Sequence, residues 1–128
     1  MIYADTSALV KLVLTEPESS ALLVYLRGRG DVVTSALAQT ELVRTVRRLE
    51  PDLEPRARAL IAGLIQVEVG GEVLAAAAAL SPPELRTLDA VHLATALALG
   101  GELDAVVTYD ARMAAAARSA GLRVEAPA

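Results

Sequence analysis

Four acidic residues, far apart in the sequence, are the side chains of this chain best suited to carry chemistry. They are Asp5, Glu41, Asp89 and Asp110. Carboxylates that lie close together repel one another unless a positive charge lies between them. Oxygen ligands in a chain with no cysteine and a single histidine favour Mg²⁺, with Mn²⁺ as a substitute, over zinc or copper. The four acids therefore predict a divalent-metal site of the kind that nucleases use.

Two of the acids follow predicted strands. The apolar segment 1–4 predicts a strand that delivers Asp5 at its C-terminal end. The segment 104–108, which is β-branched in its middle, predicts a second strand that ends just before Asp110. Because open α/β sheets bind their ligands at the carboxyl ends of the strands, both side chains are expected at that edge.

The other two acids lie on predicted helices. Asp89 falls in the first turn of a predicted helix over 88–99, which must run antiparallel to the strand that follows it. The helix therefore begins at the edge where that strand ends. Glu41 is predicted six residues into a helix over 36–49, about 9 Å along its axis, and its side chain leans toward the N-terminus. The sequence thus predicts that all four carboxylates meet at one edge.

Strands and helices alternate along the whole chain. Strands are predicted over 1–4, 32–34, 66–69, 104–108 and 122–125, and helices over 6–14, 17–27, 36–49, 55–64, 71–80, 88–99 and 110–120. Helical crossovers between strands imply a mainly parallel sheet with helices on both faces. We predict an α/β fold, a three-layer α/β/α sandwich with four or five strands, formed as one domain over residues 1–128.

The composition narrows the class of protein. Hydrophobic residues make up 54% of the chain and the mean hydropathy is +0.44, which predicts that some apolar surface meets a partner. The only aromatics are three tyrosines, so the core must be aliphatic and base-stacking platforms are excluded. The absence of cysteine favours a reducing compartment. No apolar run is long enough for a membrane span and no basic leader precedes residue 5, so the cytoplasm is the expected location.

The charge is unevenly distributed. A net charge of −4 argues against indiscriminate binding of polyanions. Seven of the twelve basic residues nevertheless lie in one middle stretch of the chain: Arg27, Arg29, Arg44, Arg47, Arg48, Arg56 and Arg58. They predict either exposed helix faces or a row of positive side chains that contacts successive phosphates beside the acidic centre.

Each acid taken singly has a purely structural explanation. Asp5 and Asp110 are typical helix N-caps, and Asp89 is favoured in a first turn by the helix dipole. Glu41 has arginines three and seven residues further along the same helix face. These explanations do not account for the gathering of all four acids at one edge, where like charges raise the free energy.

Several neighbouring residues are candidates for supporting roles. His92 follows Asp89 by one helical turn, but its apolar neighbours favour a packed helix histidine over a general base or a ligand. Ser7 and Thr108 are candidates to hydrogen-bond water on the metal. Lys11 and Arg86 are candidate supports, and Lys11 is equally well explained as a surface residue.

The sequence resembles the PIN-domain family and, within it, the VapC-type toxins of bacterial and archaeal toxin–antitoxin pairs. The resemblance is carried by four segments: YADTSALVKL (3–12), SALAQTEL (35–42), LRTLDAVHLA (85–94) and VVTYD (106–110). Each motif is loose by itself, but the ordered set is fairly specific and spans the chain from end to end.

The resemblance implies a function and a set of site residues. The implied metal ligands and catalytic residues are Asp5, Glu41, Asp89 and Asp110, with Thr6 or Ser7 as an accessory. The implied activity is that of a Mg²⁺-dependent endoribonuclease, often acting on tRNA or rRNA. It also implies a homodimer that is inhibited by a small antitoxin covering the site.

The acid set favours phosphodiester hydrolysis by a metal-activated water, with one or two ions left open. Two rival hypotheses are a receiver-like regulatory module, which needs an acceptor aspartate after a central third strand, and a catalytically silent PIN-like scaffold. The apolar excess predicts docking of the partners on aliphatic helix faces. The candidate docking residues are Leu9, Val13, Leu22, Leu23 and Leu26.

Overall fold

The computed structural model describes every residue from Met1 to Ala128. The five strands are β1 (Ile2–Ala4), β2 (Val32–Ser35), β3 (Ile65–Val67), β4 (Ala105–Val107) and β5 (Val124–Glu125). The seven α-helices are α1 (Thr6–Val13), α2 (Ser19–Leu26), α3 (Ala38–Leu49), α4 (Glu54–Ala62), α5 (Gly71–Ala78), α6 (Thr87–Ala98) and α7 (Ala111–Ser119). None of these helices has the length and apolar character that crossing a bilayer requires.

All five strands pair in parallel, in the order β3-β2-β1-β4-β5. The first strand is therefore the centre of the sheet, and Tyr3 aligns with Val33 on one side and Val106 on the other. The third strand lies at an edge. A receiver-type module would need its acceptor aspartate after a central third strand, so the strand order does not support that alternative.

The sheet is covered by helices on both faces, which confirms the predicted α/β architecture. Because successive side chains of a strand point to opposite faces, Ile2 and Ala4 join one core while Tyr3 joins the other. The first core lies against α1 to α4, and the second lies against α6 and α7. Both are mainly aliphatic, as the shortage of aromatic residues predicts, with Tyr3 the one aromatic side chain fully buried.

Helix α3 begins two residues later than the sequence predicts. The backbone N–H of Ala36 donates to the carbonyl of Val67 at 2.8 Å, which extends the contact between β2 and β3 past the end of the strands. The Ser35 hydroxyl then accepts from the N–H of Leu37 at 3.1 Å. These bonds hold residues 36 and 37 in a turn between β2 and α3, so Glu41 lies in the first turn of α3, nearer the sheet edge than predicted.

Three of the residues predicted to dock a partner belong to the core instead. Leu9, Val13 and Leu22 are at most 1% exposed, because α1 packs between the sheet and α2. That prediction is wrong for these positions. Leu23 is 46% exposed and Leu26 is half-buried, so only they remain as candidates.

Truncation of a buried leucine on α6 tests the second core. Leu93 is fully buried, so Leu93→Ala should lower the free energy of unfolding by about 2–5 kcal/mol through lost burial and a new cavity. Leu88→Ala on the same helix is the matched control, because Leu88 is 47% exposed and should change stability by no more than about 0.5 kcal/mol. Urea unfolding of both variants decides the point, and equal losses would contradict the assignment of this core.

Candidate functional site

A cleft of about 330 Å³ lies at the carboxyl edge of the sheet. Ten residues line it: Asp5, Thr6, Ser7, Val10, Glu41, Thr45, Arg86, Asp89, His92 and Asp110. All four predicted acids are among them, so the structure brings together side chains that the sequence separates by up to 105 positions (110 minus 5). We call this feature the acidic cleft.

Asp5 is the most buried of the four acids, at 4% exposure. It caps α1 at the end of β1, and its Oδ1 accepts from the Ser7 hydroxyl at 2.6 Å and from the N–H of Ala8 at 3.1 Å. Its Oδ2 accepts from the Thr108 hydroxyl at 2.5 Å. Burial raises the pKa of Asp5, and the hydrogen bonds from Ser7 and Thr108 oppose that rise.

The two hydroxyls that hold Asp5 also connect neighbouring strand ends. The Ser7 oxygen accepts from the N–H of Tyr109 at 2.9 Å, and the Thr108 oxygen accepts from the N–H of Asp110 at 3.1 Å. Each hydroxyl has one proton and donates it to Asp5, so both fix the carboxylate in place. The prediction that they also bind water on a metal stays a prediction.

Asp110 and Asp89 present the least engaged carboxylate oxygens. Asp110 caps α7, and its Oδ1 accepts from the N–H of Met113 at 2.9 Å while Oδ2 has no partner within the chain. Asp89 lies half-buried in the first turn of α6, and its side chain makes no hydrogen bond. Burial, and then the charges of Asp110 and Asp5, raise the pKa of Asp89. The acids thus repel one another, and the charges of His92 and Arg86 offset only part of the effect on Asp89.

Glu41 is held from two sides. Its Oε1 accepts from the Thr6 hydroxyl at 2.8 Å and lies 2.6 Å from His92 Nε2. The other ring nitrogen of His92, Nδ1, lies 2.6 Å from the Tyr3 hydroxyl. Because a carboxylate only accepts, Nε2 of His92 donates to Glu41, and the Tyr3 hydroxyl is the hydrogen-bond partner of Nδ1. Burial raises the pKa of Tyr3 well above its usual range, so it stays a donor.

The role of His92 was only partly predicted. It is buried, at 2% exposure, as expected of a packed helix histidine, but its ring also lines the acidic cleft and orients Glu41. The signal was present in the sequence as the spacing from Asp89, because residues three apart share a helix face. Tyr3 was unrecognised as a site residue, since no sequence pattern pairs a strand tyrosine with a histidine 89 positions away.

Of the two basic residues that are candidate supports, Arg86 lines the acidic cleft and Lys11 does not. Lys11 lies outside the acidic cleft, where its ammonium meets Glu18 at 2.8 Å and Glu16 at 3.6 Å, so the structure does not support it as a site residue. Arg86 is exposed and lines the cleft, and its charge slightly lowers the pKa of Asp89.

The donor set fits a hydrated magnesium ion. As the side chains lie, no group of three or more His, Asp or Glu residues forms an arrangement that could hold an ion. Mg²⁺ does not need such a cage, because it commonly keeps several waters and binds through one or two carboxylates. Asp89 and Asp110, with oxygens free of protein partners, are the residues that fit direct or water-mediated contact.

Replacement of Asp89 should stabilise the metal-free protein at neutral pH. Because the folded pKa of Asp89 is raised, the wild type loses stability as the pH rises through that pKa. Asp89→Asn cannot ionise and escapes this loss. Its free energy of unfolding in EDTA should exceed that of the wild type at pH 7, and the excess should vanish below about pH 4. Urea unfolding across this range is the measurement.

Asp104→Asn is the control, and its sign is opposite. The N-terminal ammonium, 2.7 Å from Asp104, lowers the pKa of that carboxyl, so its contribution to stability exists above the unfolded pKa and is lost as the pH falls. This variant should be slightly less stable than the wild type at pH 7. A destabilising Asp89→Asn substitution at neutral pH would contradict the repulsion among the acids.

Tyr3→Phe tests the hydrogen bond to His92. The substitution leaves Nδ1 of a buried histidine without its hydrogen-bond partner, which should cost about 1–3 kcal/mol of unfolding free energy. Tyr25→Phe is the matched control, because the Tyr25 hydroxyl has no partner in the chain and only its ring contacts Arg29. That variant should change stability by no more than about 0.5 kcal/mol in urea unfolding. Similar losses in both would show that the hydroxyl of Tyr3 has no special role.

A family model described as the PIN domain matches residues 2–119. Ribonuclease VapC46 of Mycobacterium tuberculosis is 48% identical over 98% of this chain and 97% of the relative. Ribonucleases VapC35 and VapC47 from the same species are 44% and 42% identical, over 99% of this chain and 97% of each relative.

Solved structures share the fold. The crystal structure of VapC20 from Mycobacterium tuberculosis, described as a toxin that cleaves the sarcin–ricin loop, aligns with a TM-score of 0.79 at 18% identity. That alignment covers 99% of this chain and all of the other. A toxin–antitoxin complex from Klebsiella pneumoniae aligns with a TM-score of 0.67 at 19% identity, over 86% and 87% of the two chains.

Proposed function

Because this chain belongs to the PIN-domain family and is of the VapC type, we propose that it is a toxin that cleaves RNA as an endoribonuclease. The observation that carries the proposal is the gathering of four carboxylates in one cleft, where the side chain of Asp89 has no hydrogen-bond partner and its pKa is raised by burial and then by the charges of Asp110 and Asp5. A group of carboxylates whose charges are only partly offset is suited to a divalent cation.

We propose Mg²⁺ as the cofactor, with Mn²⁺ as a substitute. When bound, such an ion neutralises charge on the phosphate and makes a water molecule nucleophilic at neutral pH. Asp5, Asp89 and Asp110 are the proposed ligands, directly or through water. The three hydrogen bonds to Asp5 fix its orientation in advance, while the free oxygens of Asp89 and Asp110 can adjust to the ion.

Glu41 has a different proposed role. Its Oε1 is held by Thr6 and His92, so its rotation is restricted and its position on the cleft wall is defined. A carboxylate fixed in this way can orient the attacking water by accepting its proton in a hydrogen bond, or contact a second ion. His92 and Tyr3 act through Glu41 as positioning residues, and Thr6 is an accessory to the same carboxylate.

The proposed partners follow from the family and from the two described toxin structures. We propose an RNA substrate of the tRNA or rRNA class, a small cognate antitoxin that blocks the acidic cleft, and assembly as a homodimer. The exposed apolar side chains of α2, Leu23 and Val24, support a docking face there. A cytoplasmic location is proposed because the RNA substrate is found there.

Asp5→Asn should abolish RNA cleavage without unfolding the protein. Asparagine keeps one side-chain oxygen to cap α1, and its amide nitrogen replaces the acceptor of the Thr108 hydroxyl, so the fold should persist at reduced stability while the charge is lost. We expect the rate of cleavage of a panel of structured RNAs, followed on gels with Mg²⁺, to fall by at least about 100-fold. Excess EDTA should abolish cleavage by the wild type. Mg²⁺ should also raise the melting temperature of the wild type more than that of Asp89→Asn.

Asp104→Asn makes the same chemical change at the opposite edge of the sheet, and should cleave as the wild type does. Full activity of Asp5→Asn, or of the wild type in EDTA, would contradict the proposed mechanism. A folded wild type that cleaves none of the RNAs, with Mg²⁺ present and no antitoxin bound, would favour the silent scaffold.

A further inference from the structure

A second cleft, of about 720 Å³, adjoins the acidic cleft. Thr6 and Glu41 line both clefts, and so does Thr45, so the two form a continuous surface. The second cleft is lined by Thr6, Leu37, Thr40, Glu41, Arg44, Thr45, Arg48 and Leu88. We call it the arginine cleft, after the two cationic side chains in its wall.

The arginines continue the helix face that carries Glu41. Arg44 and Arg48 follow Glu41 on α3 at three and seven residues, a spacing that places all three along one stripe. At 1.5 Å per residue they lie about 4.5 Å and about 10.5 Å further along the axis. A ligand that is bound at the acids near the start of α3 and extends along this helix face would therefore pass two positively charged side chains.

The charges of Arg44 and Arg48 are not neutralised within the chain. Neither guanidinium has an acidic partner within ion-pair distance, whereas Arg47 and Arg58 lie 3.0 Å and 3.7 Å from Glu54 Oε1. The contacts of Glu54 lack hydrogen-bond geometry, but their distances suffice to compensate the charges. The predicted strip of arginines therefore falls into two groups. Arg44 and Arg48 lie beside the acids without an acidic partner, whereas Arg47 and Arg58 lie against Glu54.

We propose that the arginine cleft binds phosphates of the RNA strand next to the scissile bond, an inference that rests on the proposed function of the acidic cleft. A planar guanidinium binds a phosphate through two parallel hydrogen bonds, which suits an exposed arginine without an acidic partner. In a chain of net charge −4, such a pair beside four carboxylates offsets their repulsion of the polyanion.

The cleft offers phosphate contacts without base stacking. None of the residues that line it is aromatic, and the three tyrosines of the chain are buried or lie elsewhere. Contacts to phosphate position a nucleic acid but carry no base sequence directly. The arginine cleft should therefore strengthen the binding of different RNA sequences by a similar factor.

Salt dependence of binding isolates these two charges. Fluorescence anisotropy of labelled oligouridine and oligoadenine, in EDTA and from about 50 to 200 mM NaCl, gives the slope of log affinity against log salt. Arg44→Gln with Arg48→Gln should reduce the magnitude of that slope by about 1.4, since each contact to a single strand contributes about 0.7. The loss of affinity should be similar for both oligonucleotides.

The double variant Arg47→Gln with Arg58→Gln is the matched control. It removes the same two charges from the same helical region, but those charges already face Glu54, so the slope should stay near that of the wild type. Arg44→Lys with Arg48→Lys should retain the slope, because the charge remains. Thermal melting checks folding, and single Gln variants, each reducing the slope by about 0.7, replace the double variant if it is unstable.

The outcomes separate this inference from the proposed function. A reduced slope in the Arg44 and Arg48 variant supports the arginine cleft even if the wild type cleaves no RNA, a result that would contradict the proposed function alone. Cleavage by the wild type with equal slopes in both double variants would overturn the arginine cleft alone. Absence of RNA binding by the wild type would overturn the arginine cleft as well. So would an unchanged salt slope in the Arg44 and Arg48 variant if that variant instead lost the binding of an acidic protein partner.

Discussion

The buried carboxylate of Asp5, at the C-terminal end of the central strand, is the constraint on which the rest of the site depends. A charge at 4% exposure raises the free energy of the fold unless donors surround it, and here the donors are the hydroxyls of Ser7 and Thr108 and a backbone N–H. The same hydroxyls accept from the backbone beyond β4. The end of one strand is thus fixed against its neighbour, and α1 and α7 start at defined positions beside the charge.

Glu41 and its hydrogen-bond partners fix a second part of the wall of the acidic cleft. The chain of hydrogen bonds from Tyr3 through His92 to Glu41 joins β1, α6 and α3. Because His92 donates to it, the Glu41 carboxylate is held as an acceptor in the wall of the cleft. Asp89 and Asp110 differ, because the Asp89 side chain makes no hydrogen bond and that of Asp110 accepts only one, which leaves both room to adjust. The site combines two carboxylates held rigidly by the protein with two that an ion could reposition.

Helix α3 also gives the surface its electrical polarity. Its first turn contributes a carboxylate to the acidic cleft, while later turns of the same face contribute unpaired guanidinium groups to the adjoining arginine cleft. The neighbouring arginines around Glu54 are exposed to solvent, but their charges are compensated. A polyanion would therefore meet a graded field along one helix face, although the whole chain is acidic.

The strand–helix alternation, the parallel sheet and the meeting of the four acids could all be predicted from the sequence, because apolar runs and helix periodicity report which segments are buried and where each ends. The sequence by itself did not determine which side chains pair. That Leu22 is core while Leu23 is exposed, that His92 orients Glu41, and that Glu54 compensates Arg47 but not Arg44 all depend on how separate elements pack. Periodicity assigns a residue to a face of its own helix, whereas its partner on another element is chosen only when the tertiary structure fixes the distance between them.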